Sequence, residues 1–371
     1  MINALKRAWA NFRGFDLDGG TVPPLDGPLR PNAKLDTLPV LLRMDDIDNL
    51  TAQGDHVICS LHNDILTLSP TRSEGGAQTF EVTGRRDCGA TVTSIASTGG
   101  HLALAVDGKG IVVERPGEEP RTIVADGLPK NCITAMTFAD ADTLFVAVGS
   151  ARHAASDWKR DLMTKTASGS VWRIDLKTGG ATQLASDLAF PSGIAVSAKS
   201  LLVSEAWRHR VLALSQDGSQ QGFALSGLPA YPGRIIPAAS GGFWLAMFAP
   251  RNPLVEFVLK EDDYRNRMVE TIDPAHWIAP SLLAGRSFLE PIQGGTRKKL
   301  NMLKPWSPTF STGLVVRCDE TMGMLHSYHS RADGEVHGVT SLCETGGYLL
   351  VGARGSGKIV AIDELTQQAM A

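Results

Sequence analysis

The chain has 371 residues, 43% of them hydrophobic and 20% charged, and 36 basic against 39 acidic residues leave a formal net charge of −3. A chain of this length buries a sizeable core without covalent staples, and the near-balanced charge argues against a nucleic-acid binder, which carries a basic domain or stripe. The 38 glycines, spread without low complexity, point to many tight turns and therefore many short strands.

In chain order, residues 2–13 read as a short amphipathic helix with Ile2, Leu5, Trp9 and Phe12 on one face. Such a helix suits packing against a domain wall, or a membrane surface. The same residues lack the continuous apolar stretch of a secretion signal. Residues 14–32 are rich in Pro and Gly and read as an extended arm. This sets an N-terminal helix and arm at 1–32 apart from a second region at 33–371.

From about residue 36 the text repeats. Each unit is a short apolar strand, a Gly or Asp turn, a second apolar strand, another turn and a third strand. The strands fall at 47–50, 56–60 and 64–68 in the first unit, and at 92–96, 101–106 and 110–114 in the second. They follow at 133–138, 143–148 and 169–174, then at 193–196, 201–204 and 210–214. The fifth unit has 233–236, 242–246 and 312–317, and the sixth 339–342, 348–352 and 357–362. Six imperfect repeats of three or four strands predict an all-β fold, a six-bladed β-propeller, in which the first strand of every blade lines a central channel. A strand near 33–42 is expected to complete the last blade and close the ring. Insertions at 149–168 and 250–308 interrupt blades three and five. Long loops in a compact domain are commonly lids or binding loops, and both are expected to contain helices and cover one mouth. The second also holds Trp277, Phe288, Trp306 and the basic run Arg297, Lys298, Lys299.

Residues 190–196 (FPSGIAV), 204–211 (SEAWRHRV) and 228–235 (LPAYPGRI) follow one another in blades four and five, and 150–153 (SARH) with Asp157 and Trp158 stand in the first insertion. In sequence and order these segments resemble the strictosidine synthase-like family, six-bladed propellers related to gluconolactonases, senescence marker proteins and paraoxonases; the resemblance spans roughly 36–365. It implies a hydrolase acting on an ester or lactone in the channel. It also implies a channel Ca²⁺ held by Glu, Asn, Asn and Asp from blades one, three, four and five, oxygen ligands that suit a hard cation. Those positions fall here on Asp48, on Thr134 with Asn131 as a substitute, on Ser192 and on Gly233, with Arg234 next in sequence. The ligand set is incomplete, and a cation stands beside it. The family's Pictet–Spengler chemistry uses a Glu in blade six, where this chain has Thr340, and is not expected.

The residues leave two functional readings. In the first, a lactonase or esterase, Asp48, Asn131 and Ser192 hold a metal or polarise the carbonyl. His337 or Asp48 then activates water as base, and Arg234, Ser192, Thr134 and Thr340 contact substrate. In the second, a non-catalytic propeller binds an anionic small molecule through Arg234. Glu205 with Arg208 and Arg210 reads as a structural ion pair, and 352–357 as a hairpin turn. His326 and His329 do not read as a metal pair. The five cysteines, Cys59, Cys88, Cys132, Cys318 and Cys343, are odd in number and contain no CxxC, which argues against disulfides or zinc. No apolar run approaches the ~18 residues of a membrane span. A soluble, cytoplasmic protein acting on a small molecule, with no nucleic-acid partner, is expected.

Overall fold

The computed structural model describes residues 22–72, 78–123, 125–198, 200–285, 290 and 309–363, with the backbone alone at 298–299 and 302–303. The expected helix at 2–13, the side chains of the basic run at 297–299, and Phe288 and Trp306 lie outside the described residues. Six four-stranded antiparallel sheets form six blades. Their inner strands are Ile47–Gln53, Val92–Thr98, Ile133–Asp140, Pro191–Val196, Ala230–Pro237 and Val339–Thr345. Each packs beside the inner strand of the next blade, and the sixth returns to the first. The ring closes as expected. Val40–Arg43 pairs with Lys358–Asp363, so the last blade takes its outer strand from the N-terminal side of the chain.

The apolar pattern explains the layering. Second strands are covered on both faces by neighbouring blades and so are apolar almost throughout: His101–Val106 and Thr143–Val148 are buried from their second residue onward. Outer strands such as Ala181–Leu188 face solvent, and in that strand only Leu188 is buried. The core is therefore a set of clusters between blades. One joins Ala195, Leu202, Val211, Ile235, Leu245 and Val316.

The arm before the closing strand is fixed to the outer edge of blade five. Asn32 donates its Nδ2–H to the Ser327 carbonyl (3.0 Å) and accepts from the His329 amide (3.0 Å). Asp36 accepts from the Ser330 hydroxyl (2.6 Å) and from the Arg331 and Glu335 amides (both 2.9 Å). Closure thus ties blade five, blade six and blade one together. Leu41, 5% exposed, packs with Leu50, Leu350 and Ile359 at this seam. Leu41→Ala is expected to cost about 2–5 kcal/mol, read as a lower denaturant midpoint with an unchanged slope; a loss under about 0.5 kcal/mol, the size of an ordinary surface substitution, would show that the seam does not carry stability.

Candidate active site in the propeller channel

Every inner strand carries a pairing irregularity at or just after its second position. The register shifts at Asp48/Thr51, Val92/Ser94, Ile133/Ala135, Pro191/Gly193, Pro232/Ile235 and Val339/Ser341. A bulge re-aims a side chain, and repeated six times it sets one ring of residues at the same end of the channel: Asp48, Thr93, Thr134, Ser192, the Gly233–Arg234 pair and Thr340.

Arg234 crosses from blade five to the opposite side. Its Nη2–H donates to Asn49 Oδ1 (2.6 Å) and its Nη1–H to Ser94 Oγ (3.4 Å). Both acceptors are neutral, and among the described residues no carboxylate lies within ion-pair distance of it. Burial lowers the pKa of the guanidinium and Asp48 opposes that shift. Asn49, in a left-handed conformation (φ 55°), is held by Nδ2–H bonds to Ser60 Oγ (2.8 Å) and the Val92 carbonyl (3.4 Å).

Asp48 accepts from the Thr340 hydroxyl (2.7 Å) and the Asn49 amide (2.8 Å) through Oδ1. Its Oδ2 faces Arg354 Nη1 at 3.4 Å. Sequence reasoning missed Arg354. The segment at 352–357 is a hairpin turn as expected, but a 3-10 turn at Arg354–Ser356 aims this side chain back over the ring. The Leu282 carbonyl of the blade-five insertion braces that turn. A Cβ at Gly338 would sit 2.6 Å from this oxygen, and one at Gly355 closer still.

The other side of the mouth is aromatic. The first insertion forms α1 (Trp158–Thr164), and the second forms α2 (Pro253–Lys260) and α3 (Asp262–Thr271). Leu162, Met163, Val258, Met268 and Trp277 pack there on Cys132, Phe190 and Tyr231. Trp207 stacks on Phe190 (4.6 Å) and Trp158 (6.1 Å) and donates Nε1–H to the buried Asp161 (2.8 Å), whose pKa burial raises. Phe248 lies 3.5 Å from where a Gly233 side chain would begin.

The structure brings together Asp48 and Thr340, and sets Arg234 against the neighbour of Asp48. It does not bring Asn131 to them: Asn131 is exposed beside Gly108 on the loop before blade three. His337 is not an open channel base either. It is 2% exposed, its Nδ1 pairs with Ser311 Oγ (2.9 Å) and its Nε2 with the Arg331 carbonyl (2.7 Å), so both nitrogens are engaged. Burial lowers its pKa. The ion pair at Glu205 is structural as expected: the carboxylate is fully buried, binds Arg208 (2.6 Å), Arg210 and the Ala189 amide (2.7 Å), and sits in the blade body. His329 pairs with Ser327 (2.9 Å) and does not form a site with His326. It borders a separate cavity of about 700 Å³ between the arm and blade five, which shares no residue with the ring.

The ring does not fit calcium, which takes six to eight oxygens. Thr134 and Ser192 direct their hydroxyl protons to the Pro191 and Pro232 carbonyls of the following blades (2.6 and 2.8 Å). The fifth position has no side chain, and Arg234 supplies a cation beside it. Among the described residues no three His, Cys, Asp or Glu are grouped to hold a metal.

A sequence model of the family described as strictosidine synthase matches residues 134–216. Adipocyte plasma membrane-associated protein of Danio rerio is 31% identical over 120 residues, which are 31% of this chain and 29% of that protein. The Salmo salar protein of that name is 32% identical over the same length. The chain thus spans under a third of the curated relatives it matches. Among solved structures, regucalcin from Agrobacterium tumefaciens, a calcium-binding protein, superposes with a TM-score of 0.52 at 13% identity, covering 87% of this chain and 94% of that one. A structure described as a putative gluconolactonase gives 0.52 and 13% over 89% and 94%. The chain therefore has the six-bladed propeller fold of these structures, and residues 134–216 of it are similar in sequence to the strictosidine synthase family. Among the described residues no helix is long and apolar enough to cross a membrane.

Two outcomes follow. The unfolding midpoint is expected to be the same in calcium and in chelator, whereas Gly233→Asp combined with Arg234→Asn, which removes the cation and adds a carboxylate where a Cβ has ordinary clearance, is expected to gain a calcium-dependent rise. A rise in the unsubstituted protein would refute the misfit. Separately, burial holds the His329 imidazole down at about 4 against an ordinary 6.5. Between those values the unfolded chain binds a proton that the folded chain does not, so stability falls as pH drops from 6.5 towards 4. His329→Gln is expected to flatten that slope by about one proton, measured by denaturant titration across the interval.

Proposed function

We propose that the protein hydrolyses an ester or lactone of a small molecule in the channel, with Arg234 and Asp48 supplying the charges. The observation that supports this is their placement: a half-buried guanidinium with neutral partners reaches the residue next to a carboxylate, at the mouth, beside an aromatic wall. Arg234 donates to the carbonyl oxygen and to the oxyanion that replaces it, where a fixed donor in a dry site is worth most. Asp48 takes a proton from water as the water oxygen bonds to the carbonyl carbon. It returns that proton to the leaving oxygen when the tetrahedral species collapses. Thr340 and the Asn49 amide hold the carboxylate in place.

Likeness of fold supports the reaction class, since one structural neighbour is described as a putative gluconolactonase. The neutral partners of Arg234 favour a second reading, a propeller that holds an anionic small molecule without turning it over. A cytoplasmic place is consistent with the five cysteines, all free. The test is a screen of small esters and lactones in the presence of chelator. Turnover is expected. Asp48→Asn is expected to lower kcat about 10²–10⁴-fold, the usual worth of a general base, and Arg234→Ala about 10²–10³-fold, that of an oxyanion donor. Binding without turnover would select the second reading.

A further inference from the structure

Two arginines flank Asp48, and among the described residues most of their donors are unmatched. Arg234 uses two of its five N–H groups, on Asn49 and Ser94. Among the described residues Arg354 makes one hydrogen bond, to Asp48 Oδ2 at 3.4 Å. Among the described residues its Nε is buried without a hydrogen-bond partner, and the carboxylate facing it, Asp46 Oδ1, is 3.7 Å away. These contacts are long for charge-assisted pairs, which close to about 2.7–2.9 Å. The turn beneath Arg354 is held by the Leu282 carbonyl packed on Gly338 and Gly355. The backbone is therefore braced while the guanidinium stays loosely engaged. A guanidinium fork suits a planar oxyanion held by two parallel bonds.

We propose that the substrate of this channel carries a free carboxylate beside its ester or lactone bond, that Arg354 receives it, and that Arg354 leaves Asp48 to do so. The inference rests on the hydrolase reading above. It adds a consequence for the base: in the free protein Oδ2 of Asp48 faces Arg354, and arrival of the carboxylate releases that oxygen to take the proton of water. A monoanion suits the site better than a phosphate dianion. Asp45, Asp46 and Asp48 stand at the same mouth, and every added negative charge is opposed by three carboxylates.

The experiment compares mono-para-nitrophenyl succinate with its neutral methyl ester, using the full chain, Arg354→Ala and Arg354→Lys. The acidic ester is expected to be hydrolysed to succinate and para-nitrophenol with a kcat/KM about 10–100-fold above the neutral one, the worth of a charged hydrogen bond. Arg354→Ala is expected to reduce the acidic-over-neutral ratio of kcat/KM by about tenfold or more, and Arg354→Lys to restore part of it. Equal turnover of the two esters, or an equal loss on both in Arg354→Ala, would overturn the inference and leave the hydrolase reading standing. If neither ester is hydrolysed the hydrolase reading fails. Calorimetry with succinate then decides the anion site alone: binding lost in Arg354→Ala supports it, and no binding to the unsubstituted protein overturns it.

Discussion

Placing a guanidinium in the channel of a propeller demands acceptors from the far side, and the site is organised around that demand. Arg234 leaves blade five and is met by Asn49 of blade one and Ser94 of blade two. Asn49 reaches it from a left-handed backbone conformation, and that conformation belongs to the bulge that also turns Asp48 towards the ring. The cation, its neutral acceptors and the neighbouring carboxylate are therefore one arrangement. An oxygen-lined metal site and a crossing arginine are alternatives for the same space, and this chain has the arginine.

The hydroxyls of the ring have become fasteners between blades. Thr134 and Ser192 each donate to a carbonyl of the following inner strand, and Ser204 donates to the Gly233 carbonyl (2.6 Å). Buried polar groups in a low-dielectric setting are costly when unmatched. These bonds satisfy carbonyls that bulging removes from the regular ladders. Blades three to five contribute fasteners and an aromatic wall, with Arg234 crossing from blade five, while blades six and one contribute Arg354 and Asp48. The mouth is two-sided, apolar under the helices and ionic opposite them.

Much of this was legible in the sequence. The alternation of short apolar strands with Gly and Asp turns is local, and so the blade count, the closing strand before residue 44 and the helices of both insertions could be read from the text. The ring positions Asp48, Thr134, Ser192 and Thr340 could be read as well, because each sits second in an inner strand. What escaped were pairings across large sequence distances. His337 looks available until Ser311, just beyond the blade-five insertion, takes its Nδ1. Arg354 looks like a turn residue because its partner Asp48 lies 306 positions away. Asn131 has suitable chemistry, but its loop leaves it exposed outside the ring. Chemistry-bearing residue types are visible locally, whereas the partners that use up or free their atoms are not.

The bracing of the Arg354 turn also bears on how far the molecule is modular. Propellers invite the exchange of loops because blades repeat, and the insertion of blade five appears self-contained in the chain. Its Leu282 carbonyl nevertheless occupies space that exists only because residues 338 and 355 in the next blade lack side chains. The insertion and those two glycines are one unit of inheritance. A graft that transplants the insertion into another propeller, or replaces it here, has to carry the glycine pair with it, or the ionic half of the mouth loses the support of its outer arginine.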